Sequence, residues 1–123
     1  MNTALVVEDS LVERTAIALI LNRVGFKVLT VNSGEEAQEK INNCQPDIII
    51  LDVILPGRSG FEICRQLKAN PKMSQIPIVF CSSKGTELDR FWGLKQGAAA
   101  YLTKPLVSDE LLQTIKQLVG NRT

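Results

Sequence analysis

The chain has 123 residues, enough for one hydrophobic core and too few for two, because a domain of this size buries roughly two thirds of the surface its unfolded chain exposes. Lysine and arginine number 14 against 13 aspartate and glutamate, and a net charge of +1 gives no electrostatic footprint for nucleic acid or an anionic membrane. There is no histidine, which excludes imidazole metal sites, Ser-His and Cys-His nucleophile pairs and any role as a phosphohistidine carrier.

Short apolar runs alternate with segments of helical period, the pattern of βαβ units and of a parallel sheet covered on both faces. The first run predicts a strand at 4–8 ending in Glu8-Asp9, then a helix from Leu11 to Val24 stopped by Gly25, whose missing Cβ permits a left-handed cap. A second strand is predicted at 27–31 and a third at 47–52, where Ile48-Ile49-Ile50-Leu51 closes on Asp52. The stretch Asn70-Pro71-Lys72-Met73-Ser74 reads as the loop from the third helix to a fourth strand at 76–81, which leads into Ser82-Ser83. A fifth strand at 100–103 leads into Lys104-Pro105.

The helices mark their own starts. Ser10-x-x-Glu13, Ser33-x-x-Glu36 and Ser59-x-x-Glu62 each have the form of a capping box, and Thr86 and Ser108 are candidate N-caps for the fourth and fifth helices. Asp109 and Glu110 fall in the first turn of the last helix, where the macrodipole favours acids, and Gly97 and Gly120 end the last two helices. The expected count is five strands and five helices in one α/β domain.

Right-handed crossovers put the carboxyl ends of all parallel strands on one edge of the sheet, where ligands bind. Glu8, Asp9, Asp52, Ser82 and Lys104 all stand at such ends. Three carboxylates about 4 Å apart repel by about 4 kcal/mol per pair at an effective dielectric near 20, so Glu8, Asp9 and Asp52 require a counter-ion. Hard oxygen donors without nitrogen or sulfur favour Mg²⁺ or Mn²⁺, with a phosphate oxygen as a natural further ligand. Lys104 and Ser82 then supply a cation and a hydroxyl for phosphoryl transfer, with Asp52 as the oxygen nucleophile. Neither G-x-x-x-x-G-K-[ST] nor G-x-G-x-x-G is present, so the phosphoryl donor need not be a nucleotide held by this chain. Taken singly, each residue reads as ordinary turn or cap chemistry; their joint occurrence at four strand ends reverses that reading.

Val7-Glu8-Asp9-Ser10, Leu51-Asp52-Val53-Ile54-Leu55-Pro56-Gly57 with Gly60, Ser82, Gly97-Ala98, Tyr101 and Lys104-Pro105 together resemble the response-regulator receiver domain of two-component signalling, from Leu5 to Val119. The resemblance implies a single receiver domain over 1–123 with the flavodoxin-like, doubly wound (βα)5 fold, a five-stranded parallel sheet ordered 2-1-3-4-5 and helices on both faces. It implies phosphorylation of Asp52 by a partner histidine kinase, with Asp9, Asp52 and the main-chain carbonyl of Ile54 as direct Mg²⁺ ligands and Glu8 acting through water. Lys104 would pair with the phosphoryl group, while Ser82 and Tyr101 move to reshape the α4-β5-α5 surface that binds an output protein. On this basis the chain is a phosphoacceptor signalling protein, not an enzyme with a separate substrate, and a monomer or weak dimer.

Two positions depart from the flagellar-motor regulator: Ile54, two after the phosphoacceptor, and Lys84, two after the switch hydroxyl. They leave the phosphoryl lifetime open. The segment Asp89 to Ala98 looks more like stand-alone regulators of twitching motility and phototaxis. Trp92, the only tryptophan, suits either a partner interface or packing beneath its helix with Leu88 and Phe91. Cys44, Cys64 and Cys81 lack the spacing of a zinc or redox motif and read as reduced thiols. With no signal segment or membrane span, a soluble cytoplasmic protein is expected. Two alternatives stand beside the phosphoacceptor: a phosphorylation-independent receiver-like scaffold, and the receiver of a longer transcription factor or hybrid kinase, against which a start at Met1 and the short tail argue.

Overall fold

The computed structural model describes residues 2–120; the outermost positions of the expected 1–123 domain lie outside the described residues. Its elements are β1 (Thr3–Val7), α1 (Leu11–Arg23), β2 (Lys27–Val31), α2 (Gly34–Cys44), β3 (Ile48–Leu51), α3 (Gly60–Ala69), β4 (Ile78–Ser82), α4 (Glu87–Lys95), β5 (Ala100–Thr103) and α5 (Ser108–Val119). The strands form one parallel sheet in the order β2-β1-β3-β4-β5. Element type and order follow the sequence reading, with strand ends displaced by a residue or two. The fourth strand begins at Ile78 and not at 76 because Pro77 has no N–H to give; its carbonyl still accepts from Ile49 at the sheet's lower edge.

Alternation along the strands divides the core into two halves. Leu5, Val7, Ile49, Leu51 and Phe80 face α2 and α3, meeting Ala37, Ile41, Ile63 and Leu67. Ala4, Val6, Ile48, Ile50 and Val79 face the other way, onto Ile17 and Leu21 of α1 and Leu111 and Ile115 of α5. The central strand β3 is buried at all four positions, as its unbroken Ile-Ile-Ile-Leu run requires.

Helix starts follow the serine signals only in part. Ser10, Ser33 and Ser59 each accept the N–H of the glutamate three residues on, at 3.3 Å. Among the described residues the reciprocal half of the box forms at α4 instead, where Asp89 accepts from the Thr86 N–H. Ser10 cannot complete its box because its N–H already donates to Glu8 Oε2, at 3.1 Å. Ser108 is not the cap of α5: Leu111 N–H donates to the Val107 carbonyl, so the helical pattern starts one residue earlier on a side chain that cannot cap. Gly25 and Gly97 follow α1 and α4 at φ of +94° and +106°, the left-handed turns expected of them. Gln45 closes α2 in the same region, at φ 44°, a position that carries no glycine or asparagine to signal it.

The inward side of α4 runs through Gly93, packed against Phe80 and Tyr101. Leu88, Phe91, Trp92 and Leu94 consequently face outward, with Trp92 47 % exposed. Of the two readings open for Trp92, packing beneath its helix is the one this excludes; it lies edge-on to Phe91 on the surface.

Candidate functional site

Glu8 follows β1 directly, and its N–H donates to the Val31 carbonyl at 3.1 Å, extending the sheet by one bond. Asp52 follows β3 in the same way, its N–H donating to the Val7 carbonyl at 3.1 Å. Both side chains therefore point into the mouth above the sheet and both are buried, at 2 % and 5 % exposure. Arg14 donates to the Glu8 carbonyl at 2.9 Å, and Ile54 N–H donates to Asp52 Oδ1 at 3.2 Å, so each carboxylate sits on a braced turn.

Lys104 leaves the end of β5 with its N–H on the Ser82 carbonyl at 2.9 Å, and the peptide to Pro105 is cis. Its ammonium lies 2.5 Å from Glu8 Oε1, 2.7 Å from Glu13 Oε2 and 3.0 Å from Asp52 Oδ2. Oxygens of Glu8, Glu13 and Asp52 all fall within 4.8 Å of one another. Glu13, which the sequence reading did not single out for the site, adds a further carboxylate to the cluster, and Asp9 stands exposed just before α1. Glu13 could have been found from its position: three residues beyond Ser10, the first helical turn carries it back over the edge where Glu8 ends.

Charge and burial compete at this point. Burial pushes the Glu8 carboxyl up to about 7 even against the ion pair with Lys104. Burial alone would lower Lys104, but bonds to Glu13, Glu8 and Asp52 outweigh it and hold the ammonium above its ordinary range. Three acids around one ammonium leave negative charge uncompensated. Such a site suits a hard divalent cation, and its carboxylate oxygens, with no imidazole or thiolate donor among them, match Mg²⁺ or Mn²⁺.

Ser82 ends β4 fully buried, and its Oγ accepts from Lys84 N–H at 3.2 Å. Tyr101, 7 % exposed on β5, leans on Phe80 with ring centroids 5.7 Å apart and donates its hydroxyl to the Lys84 carbonyl. Burial pushes its phenol up. The hydroxyls of Ser82 and Tyr101 therefore hold the N–H and the carbonyl of one residue, Lys84, in the turn between β4 and α4. Beyond it lies a cleft of about 390 Å³ lined by Ile54, Phe61, Lys84 and Asp89, with Ile54 51 % exposed at its lip. Cys81, beneath the site, is buried and pushed up to about 12, an inert thiol; Cys44 and Cys64 are free as well.

Residues 4–116 match the family described as the response regulator receiver domain. The chain belongs to that family. Over 120 residues it is 34 % identical to protein PilH of Pseudomonas aeruginosa, spanning 98 % of this chain and 99 % of that one. Among solved structures, the receiver superposes on the chemotaxis protein CheY4 of Vibrio cholerae with a TM-score of 0.89 at 29 % identity, over 96 % and 98 % of the two chains. It superposes equally, at 0.89 and 28 % identity over 98 % of each chain, on the receiver domain of the sensor histidine kinase PA1611 of P. aeruginosa, solved with a magnesium ion coordinated in the active site cleft. Several curated relatives are longer transcriptional regulators, and the receiver spans about half their length. No helix among the described residues is long and apolar enough to cross a membrane.

Proposed function

We propose that this receiver takes a phosphoryl group from a partner histidine kinase onto Asp52, in a reaction that needs Mg²⁺, and signals through its α4-β5-α5 surface to an output protein. The observation that carries this is Asp52 itself: a carboxylate 5 % exposed, at the mouth of the sheet, with a lysine ammonium at 3.0 Å and a second buried acid beside it. A structural turn residue has no need of such company. A carboxylate oxygen of Asp52 attacks phosphorus, the new O–P bond forming as the P–N bond to the kinase imidazole breaks and the electron pair leaves with the imidazole, which takes up a proton.

Asp9, Asp52 and the Ile54 carbonyl would hold the metal directly, with Glu8 acting through water. When bound, Mg²⁺ neutralises charge on the phosphoryl oxygens. Lys104 pairs with the transferred group, and the Ser82 hydroxyl turns toward it. Lys84 N–H then loses its partner, the β4–α4 turn shifts, and the Tyr101 hydroxyl follows the Lys84 carbonyl; a local electrostatic change is read out on the α4 surface. The likeness to PilH favours a role in motility. Relatives about twice its length favour a second reading in which the same receiver works within a longer regulator, with unchanged site chemistry.

Transfer from a panel of autophosphorylated histidine kinases tests the donor. One kinase is expected to label the receiver within seconds in Mg²⁺, and a chelator should abolish that transfer. Labelling that proceeds undiminished in the chelator would refute the metal requirement.

A further inference from the structure

We propose that Glu13 is a positioning residue for Lys104, holding its ammonium on the α1 side of the pocket until a phosphoryl group on Asp52 draws it away. This role rests on the phosphoryl chemistry proposed above. Of the three carboxylates sharing the ammonium, Glu8 and Asp52 have side chains only 2 % and 6 % exposed, whereas that of Glu13 is 45 % exposed. A buried carboxylate stripped of its cation has no water to turn to, while Glu13 does. Glu13 is therefore the partner that lets go.

The local structure makes Glu13 available for this task. At the third position of α1 its carboxylate would ordinarily reach back to the Ser10 N–H, but Glu8 Oε2 occupies that donor at 3.1 Å, and Glu13 extends to Lys104 Nζ at 2.7 Å instead. A phosphoryl group brings close to two negative charges into the dry part of the pocket, against one half-hydrated carboxylate at its rim. The exchange runs toward the phosphoryl group, but against a tether. Glu13 thus sets a threshold for the phosphorylated arrangement and ties the first turn of α1 to the state of Asp52.

Beryllium fluoride with Mg²⁺, a mimic of the phosphoryl group, provides the probe, with binding followed by calorimetry on wild type, Glu13→Gln, Lys104→Ala and the double variant. Glu13→Gln removes the competing charge and should bind roughly twofold to fivefold tighter, the range for a pair partly open to water. In the Lys104→Ala background the same substitution should change nothing, an outcome that a purely structural role for Glu13 would not produce. Denaturant unfolding of the four proteins without beryllium fluoride should show coupling between positions 13 and 104. Equal binding by wild type and Glu13→Gln, or additive unfolding effects, overturns the tether while leaving the phosphoacceptor intact. Binding that survives Asp52→Asn unchanged overturns the phosphoacceptor, and the tether with it.

Discussion

At the scale of single residues, Glu8 and Lys104 decide how the pocket behaves. Glu8 is raised from 4.5 to about 7 by burial, so between those values the folded protein keeps a proton that the unfolded chain has lost. Its contribution to stability is therefore present at low pH and is lost as pH climbs through that window. In metal-free buffer, urea unfolding should show stability falling by at most roughly 3–4 kcal/mol across the window, since a tenfold change in proton affinity is worth about 1.4 kcal/mol. Glu8→Gln should flatten that slope; an unchanged slope would place the titration elsewhere. Lys104→Ala should still accept phosphate from a small donor, more slowly, and lose the phosphate-dependent change in partner binding. Unaltered switching in that variant would remove the lysine from the mechanism. Glu8, Asp52, Ser82 and Lys104 were legible because each ends a strand and topology gathers strand ends. Glu13 was missed: its spacing from Ser10 was the available signal, but it ends no strand, and only the first turn of α1 carries it back over the edge.

At the scale of elements, Gly93 sets the distance of α4, the proposed readout helix, from the sheet. A Cβ there would lie 2.5 Å from Cδ2 of Tyr101 and 3.2 Å from Cδ2 of Phe80, closer than either ring tolerates. Gly93→Ala gains roughly 1 kcal/mol of helix propensity but forces an overpacked contact costing roughly 1–3 kcal/mol, so a net loss of stability is expected. Chemical denaturation will measure it, and a gain would show that α4 gives way freely. Helix starts were legible where a hydroxyl meets a free N–H, as at Thr86. They were misread at Ser108, since the hydrogen-bond ladder begins at the Val107 carbonyl whatever side chain stands there. The full capping boxes expected at the three serines were half formed, because in the case of Ser10 the site itself claims the backbone donor.

At the scale of the whole molecule, two apolar layers on a parallel sheet leave α4 with an uncovered face of Leu88, Phe91, Trp92 and Leu94. Helical spacing of aromatic residues usually marks a core, and sequence could not show that Gly93 takes the inward position instead. Trp92→Ala should therefore cost no more than about 1 kcal/mol in urea unfolding, against about 3–5 kcal/mol for a buried tryptophan. A loss of the larger size would return Trp92 to the core. The fold as a whole was legible because local signals agree with the global arrangement: buried β3, polar strand ends, glycine after helices.

The central claim is that Asp52 is the phosphoacceptor, and intact-protein mass spectrometry after incubation with acetyl phosphate and Mg²⁺ tests it most directly. The wild type should gain one phosphoryl group and Asp52→Asn none; equal modification of the two proteins would contradict the account.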